Sequence, residues 1–250
     1  MIRLENEIAI VTGASRGIGA DIAEMLASVG CRVVINYLQN FEKGEALISK
    51  IREAGGTALA IQADVTRHDD AQKMLDRTIE EFGVPTILVN NVGPGIISKK
   101  LIKTDWADFE TCINTGVKSA FNCSKIIGPL MMKNRKGHII NISSQYSFGI
   151  PPVAMSTYVT AKYALVGLSK CLAIELAPFG VNVNIISPGM TETDLVGHLP
   201  EGYKQAISEG TPLKRNTKCS DVSNAVLFLV SSPSSFITGI NLPVCGGNVM

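Results

Sequence analysis

Short apolar, β-branched runs alternate along the chain with longer segments of helical periodicity. Most of these runs are continuously apolar, as is typical of parallel strands that helices cover on both faces. In the first intervening segment, Ile18, Ile22 and Met25 recur with the spacing of an amphipathic helix. The alternation predicts an α/β fold with a doubly wound parallel sheet. The predicted strands are Ile8–Val11, Arg32–Asn36, Ala58–Gln62, Thr86–Asn90, Gly137–Ser143, Val181–Ser187 and Ile240–Val244.

The organisation of the chain is simple. No repeat, low-complexity tract or shift in composition divides residues 1–250, so a single domain is predicted. The last predicted strand contains Pro243, and because proline cannot donate a ladder hydrogen bond we expect this strand at an edge of the sheet. The least regular stretch, Thr191–Asn216, is predicted to be a substrate lid, with an ordinary surface excursion as the alternative.

Composition excludes several classes of protein. Of the 250 residues, 46% are hydrophobic, too many for a disordered chain. The net charge of +1 lacks the basic excess typical of nucleic-acid-binding proteins. No uncharged apolar run reaches the roughly 18 residues of a membrane helix. The cysteines show neither disulfide nor zinc-ligand spacing, and a strand from Glu7 leaves no room for a signal peptide. We therefore expect a cytoplasmic protein without a metal.

A glycine-rich turn joins the first strand to a helix. Glycines permit tight bending and let a pyrophosphate approach the main chain, while the helix N-terminus offers free N–H groups. An ordinary glycine-rich turn is the alternative, but strand, turn and helix follow in the order that nucleotide binding requires. The sequence therefore predicts a dinucleotide site that includes Gly13, Ser15, Arg16, Gly17, Ile18 and Gly19.

The end of the second strand bears on the choice of cofactor. NAD sites usually carry an acid there for the ribose 2′-hydroxyl, whereas NADP sites use a nearby basic residue. This strand ends at Asn36 and Tyr37, and no acid occurs before Glu42. Arg16 lies in the glycine turn, and a guanidinium binds phosphate in a bidentate manner. We predict NADP(H), with an exposed loop arginine as the alternative for Arg16.

Polar residues also follow the third and fourth strands, at the edge where open α/β sheets bind ligands. Asp64, followed by Val65, is positioned either to accept a hydrogen bond from an adenine amino group or to cap the next helix. Asn91 and Gly93 follow the fourth strand, where a simple glycine turn is the alternative. These four residues are candidate cofactor contacts.

A candidate catalytic pair opens a later helix. Tyr158 and Lys162 are four residues apart and share one helix face. Because a nearby ammonium favours the phenolate, we expect the pKa of Tyr158 to fall from its usual value of about 10. Such a group suits acid–base chemistry on a carbonyl or alcohol, and an exposed surface pair is the alternative.

Two further polar residues are candidates for the same site. Ser144, at the end of the fifth strand, is positioned to hydrogen-bond a substrate oxygen or merely to cap a turn. Asn114, inside a helix, needs a polar partner such as water.

Together these motifs resemble those of the short-chain dehydrogenase/reductase family over nearly the whole chain. The further matching residues are Pro188, Gly189, Thr191 and Thr193. The resemblance implies a Rossmann-type sheet with strand order 3-2-1-4-5-6-7. It also implies a homotetramer, in which the helices over residues 106–124 and 158–177 pair between subunits and the last strand forms a second contact.

The resemblance further implies a role for each candidate residue. Tyr158 is the general acid/base, Ser144 steadies the substrate oxygen and Asn114 holds a relay water. Lys162 holds the nicotinamide ribose and lowers the pKa of Tyr158. The residues that surround the nicotinamide carboxamide are Pro188, Gly189, Thr191 and Thr193. Asn91 and Gly93 line the adenosine-ribose side.

Within the family, the chain is most similar to β-ketoacyl-acyl-carrier-protein reductases. This implies NADPH-dependent reduction of a small-molecule or carrier-linked ketone. Those reductases often have basic residues before the fifth and sixth strands, and this chain has Arg135 and Lys136 before the fifth but Phe179 before the sixth. The resemblance therefore leaves open whether an acyl carrier protein is a partner, since an acidic carrier would lose one of its two basic anchors. Two other functions stay open: NADP-dependent oxidation of a sugar or small secondary alcohol, and a catalytically silent nucleotide sensor or scaffold.

Overall fold

Seven short strands occur in the computed structural model, which describes residues 2–194, 196–197 and 199–249. They are β1 (Ile8–Val11), β2 (Arg32–Tyr37), β3 (Thr57–Gln62), β4 (Ile87–Asn90), β5 (Gly137–Ile142), β6 (Val181–Pro188) and β7 (Asn241–Val244). Each strand ends within one residue of its predicted limits. All pair in parallel in the order β3-β2-β1-β4-β5-β6-β7, which confirms the predicted topology.

Helices cover both faces of this sheet. Val33 and Ile35 of β2 pack into one hydrophobic layer, and the intervening Val34 packs into the other. Successive strand residues point to opposite faces, so a doubly covered strand must be apolar at every position. The helices of the described residues are α1 (Gly17–Ser28), α2 (Phe41–Glu53), α3 (His68–Glu81), α4 (Trp106–Ile113), α5 (Ser119–Asn134), α6 (Ser156–Leu176), α7 (Glu201–Gly210) and α8 (Cys219–Leu229).

A π-helical turn, Asn114–Lys118, joins α4 to α5. The turn packs closely against the loop after β4, since a Cβ added at Gly116 would lie 2.8 Å from Pro94 Cδ and 3.6 Å from Ala161 Cβ of α6. Single π turns within helices are frequent at functional sites. Asn114 is the first residue of this turn.

The last strand and the predicted lid are both visible. β7 pairs only with β6 in the described chain, with Pro243 opposite Ser187, so the predicted edge position is confirmed. The predicted lid begins where Thr191 bridges to Thr217, and it contains α7. Leu195 and His198 of the predicted lid lie outside the described residues. Among the helices described, none is long and apolar enough to cross a membrane.

Candidate active site

The glycine turn after β1 has the backbone of an anion cradle. Gly13 and Gly17 adopt φ of +59° and +57°, a region that other residues rarely enter. Arg16 is extended and precedes α1, whose first N–H groups have no side-chain cap. Free N–H groups at a helix N-terminus bind phosphate. The turn therefore fits the pyrophosphate of a dinucleotide.

The side chains of two asparagines hydrogen-bond the backbone of this cradle. Asn91 donates through Nδ2 to the carbonyls of Thr12 and Gly13 at 3.0 and 3.1 Å. A Cβ at Gly19 would lie 2.5 Å from that Nδ2, so only glycine allows the approach. The buried Asn36 accepts from the Gly13 N–H at 3.2 Å and donates to Ala63 O at 3.0 Å. The side chains of Asn36 and Asn91 thus shape the turn.

The candidate adenosine residues lie at the ends of β2 and β3. Tyr37 is buried and packs on Phe41, with ring centroids 6.2 Å apart. Asp64 Oδ1 accepts from the backbone N–H and the hydroxyl of Thr66, at 3.0 and 2.6 Å. Because α3 begins at His68, Asp64 closes a local turn and does not cap that helix. Val65 follows it, and its carbonyl accepts from Asn122 Nδ2 of α5 at 3.0 Å.

The segment after β6 lies against the glycine turn. A Cβ added at Gly17 would lie 3.2 Å from Thr193 Cγ2, so Gly17 lets the lid approach the cradle. Gly189 donates to Val244 O at 2.9 Å, and Thr191 Oγ1 donates to Gly189 O at 3.1 Å. Thr193 therefore borders the cradle, whereas Pro188 ends β6 and Gly189 and Thr191 lie between that strand and Thr193.

Tyr158 and Lys162 are both buried at the start of α6. Lys162 Nζ lies 5.7 Å from the centroid of the Tyr158 ring and donates to Ile142 O at 2.9 Å. The pairing of β4 with β5 ends at Asn90 and Asn141, one residue before Ile142. Lys162 therefore gives the Ile142 carbonyl a donor that β4 no longer provides. A Cβ at Gly93 would lie 3.2 Å from Nζ, which places the ammonium beside the loop after β4.

Burial reverses the expected direction of the Tyr158 shift. Desolvation raises the pKa of the Tyr158 phenol to about 12, although the Ser144 hydroxyl acts in the opposite direction. Burial also lowers the pKa of Lys162 to about 8. The prediction that the pKa of Tyr158 falls is wrong in this structure, because the cost of a buried phenolate dominates its shift. A phenol with a raised pKa stays protonated at neutral pH, as a proton donor must.

Of two adjacent serines, the structure turns one toward the tyrosine. Ser144 accepts from the Tyr146 N–H at 3.3 Å, and its hydroxyl lowers the pKa of Tyr158. Ser143 Oγ is directed at Lys162 O, 3.4 Å away, on the backbone of α6. Ser144 thus caps a short turn and also neighbours the phenol of Tyr158.

Tyr146 and Cys112 are two neighbours that the sequence analysis missed. Both raise the pKa of Tyr158, which shows that they lie near its phenol. Tyr146 follows Ser144 by two positions, a proximity that makes it a natural candidate. The sequence around Cys112 gives no sign of a site. Its thiol comes near Tyr158 only because α4 packs on α6 in the folded chain.

A cavity of about 570 Å³ opens beside Tyr146. Its walls come from the loop after Ser144, from α7 of the lid and from the C-terminal segment. Among the described residues, these walls are mostly aromatic or aliphatic and carry no charged side chain. The lining residues are Gln145, Tyr146, Phe148, Gly149, Ile150, Tyr203, Ile207, Gly210, Asn248 and Val249.

A nucleotide cradle next to a buried serine, tyrosine and lysine at the carboxyl edge of a parallel sheet defines a Rossmann-type oxidoreductase. A family model described as enoyl-(acyl carrier protein) reductase matches residues 13–248, and the chain belongs to the short-chain dehydrogenase/reductase family. Members of this family act on C=O or CH–OH groups with a nicotinamide nucleotide.

Several relatives align over their full length. A 3-oxoacyl-(acyl-carrier-protein) reductase from Staphylococcus epidermidis is 38% identical over 98% of this chain and 100% of its own. One from Synechocystis sp. is 35% identical over 100% of both chains. The solved structure of a 7α-hydroxysteroid dehydrogenase with NADH and 7-oxoglycochenodeoxycholic acid is 33% identical. It superposes with a TM-score of 0.93 over 99% of this chain and 96% of its own.

Proposed function

We propose that this protein reduces a ketone to a secondary alcohol with NADPH. The observation that carries the proposal is the burial of Tyr158 and Lys162 together beside Ser144, next to the dinucleotide cradle. The intact set argues against a catalytically silent scaffold, and its burial argues against an ordinary surface pair, which would face solvent. The fold and the similarity to ketoreductases support the same reaction.

In this proposal the substrate oxygen lies between two hydroxyls. Ser144 donates a hydrogen bond to the ketone oxygen and so polarises the carbonyl. A reduced nicotinamide, when bound, would supply the hydride for the carbonyl carbon. Tyr158 gives its proton to the oxygen, which completes the alcohol, and solvent returns a proton to Tyr158. Lys162 holds the nicotinamide ribose, while Asn114 holds a water on the route of that returning proton.

The substrate that best fits the cavity has an apolar, uncharged body. Aromatic walls at Tyr146, Phe148 and Tyr203 favour flat or extended apolar groups, and Gln145 and Asn248 offer polar contacts. The relatives' names suggest a carrier-linked ketone. However, Lys136 is paired with Glu7 at 2.5 Å, which weakens its use as an anchor for an acidic carrier.

A screen of ketones with NADPH, followed by loss of its absorbance, tests the proposal. It should include one 3-oxoacyl group presented both as a small thioester and on an acyl carrier protein, and also cyclic ketones of increasing size. Turnover of at least one apolar ketone is expected. No turnover of any ketone by folded protein that binds NADPH would overturn the proposal and favour the scaffold.

Arg16→Ala should weaken NADPH binding by about 1.5–3 kcal/mol, the scale of a hydrogen bond to a charged group, and leave NADH little changed. Arg16 is the basic residue of the glycine turn, and its half-exposed guanidinium, which pairs with Asp194 at 3.0 Å, lies within reach of a 2′-phosphate. Dissociation constants from fluorescence titration measure the effect. Arg77→Ala, on the exposed side of α3, is the matched control. Equal weakening of both cofactors would show that Arg16 does not recognise the 2′-phosphate.

We expect a homotetramer. Exposed apolar side chains occur on the helices that the resemblance places between subunits, including Trp106 and Ile174, each 77% exposed. Phe236 and Ile240, also exposed, precede β7. Sedimentation should give a mass near four times 26.7 kDa, and Ile174→Glu should shift it to smaller species. Wild-type protein that sediments at 26.7 kDa at micromolar concentration would contradict the assembly.

A further inference from the structure

Three charged side chains from distant parts of the chain meet above the cradle. Arg16 Nη1 and Lys43 Nζ lie 3.0 and 3.1 Å from the same oxygen, Oδ2 of Asp194. Arg16 belongs to the turn after β1, Lys43 to the first turn of α2, and Asp194 to the start of the lid. The two cations hold the pKa of the Asp194 carboxyl below its usual value, so it is ionised at neutral pH.

These ion pairs contribute little to stability. All three side chains are about half exposed, and exposed pairs of this kind contribute only marginally to folding. Their position is more informative. In open α/β folds the adenosine ribose binds at the carboxyl end of the second strand, and a basic residue nearby accommodates a 2′-phosphate. Arg16 and Lys43 flank that end of β2, on the turn after β1 and the helix after β2.

We propose that Arg16 and Lys43 form one anion site for the 2′-phosphate of NADP(H), and that Asp194 is a built-in competitor for it. The proposal rests on the proposed function and adds a selectivity residue and a link between cofactor and lid. The Asp194 oxygen occupies the place of a phosphate oxygen. A phosphate monoester has about two negative charges and three acceptor oxygens, so it binds the two cations better than one carboxylate does.

Two consequences follow from this competition. NADP(H) binding expels the Asp194 carboxylate and so releases the start of the lid from its two ion pairs with Arg16 and Lys43. A nucleotide without the 2′-phosphate leaves Asp194 in place. Asp194 therefore opposes the preference for NADP(H) that Arg16 and Lys43 create.

Binding of nucleotide fragments tests the site without catalysis. Calorimetry with 2′,5′-ADP and with 5′-AMP isolates the 2′-phosphate. Lys43→Ala should weaken 2′,5′-ADP about 10-fold or more, as expected for loss of a charge-assisted contact, and leave 5′-AMP unchanged. Asp194→Asn should tighten 2′,5′-ADP by about 3- to 10-fold, the scale of two exposed ion pairs, again without effect on 5′-AMP. Lys50→Ala and Glu53→Gln, on the same helix α2, are charge-matched controls that should change neither affinity.

Hydrogen exchange supplies an independent readout of the lid. Adding 2′,5′-ADP to the wild-type protein should speed exchange at residues 191–194, whereas Asp194→Asn should already exchange fast there and respond little. An unchanged or weaker affinity of Asp194→Asn for 2′,5′-ADP would show that Asp194 does not compete with the 2′-phosphate and forms only a surface ion pair. Weakening of both fragments alike by Lys43→Ala would overturn the shared site. Failure of the proposed function is separate, since it would appear as absent ketone turnover despite normal fragment binding.

Discussion

Tyr158→Phe is expected to lower ketone reduction by about 10²- to 10⁴-fold, the usual effect of losing an acid–base group. The substitution keeps the buried ring and removes only the hydroxyl that neighbours Ser144. NADPH affinity should change little, because the phenol hydroxyl is not its anchor in the proposed arrangement. Steady-state turnover and a separate NADPH titration measure the two effects.

The control for this variant lies on the same helix. Tyr163→Phe removes the hydroxyl of an exposed tyrosine of α6 and should leave turnover unchanged. Near-normal reduction by Tyr158→Phe would mean that another group donates the proton, and Tyr146, which lies near the phenol, would become the first candidate. The double variant Tyr146→Phe/Tyr158→Phe would decide between them.

Lys162→Met should abolish efficient turnover and yet not destabilise the protein. Burial lowers the pKa of Lys162 from 10.5 to about 8. That shift corresponds to roughly 3 kcal/mol of folding free energy lost to the buried ammonium at neutral pH. Leaving Ile142 O without its donor costs about 1–3 kcal/mol, so the free energy of unfolding at pH 7 should stay equal or rise by roughly 1–2 kcal/mol. Urea unfolding measures the stability, and NADPH titration should show weakened binding.

The same group predicts a pH dependence of stability. Between pH 8 and 10.5 the unfolded chain retains the Lys162 proton and the folded chain releases it, so the wild-type free energy of unfolding should rise with pH. Tyr158 changes the stability in the opposite direction: because its pKa is raised, its contribution to the free energy of unfolding falls, and it does so only above pH 10. The difference between wild type and Lys162→Met should therefore change between pH 8 and 10. A flat difference, or a loss of several kcal/mol in the variant, would show that the ammonium is not desolvated.

Local pattern alone determined most of the fold. The continuously apolar strands, the glycine turn and the helix stripes were readable because strand and helix periodicity, and the conformational freedom of glycine, act over a few residues. Pro243 placed the last strand at an edge for the same local reason, since it lacks a donor. The positions of Tyr158, Lys162 and Ser144 followed from the same local reasoning, supported by the family resemblance.

The tertiary structure decided what depends on burial and on contacts between distant residues. The helix spacing of Tyr158 and Lys162 correctly predicted their proximity, but the direction of the Tyr158 pKa depends on water exclusion by surrounding elements. The choice between Ser143 and Ser144 depended on the turn that follows β5. Lys43 and Asp194 are 151 residues apart and no spacing rule connects them, because their meeting results from packing the lid over the first two strands. The sequence thus determined the fold and the candidate groups, whereas desolvation and long-range charge contacts, which exist only in the folded chain, determined the electrostatics of the site.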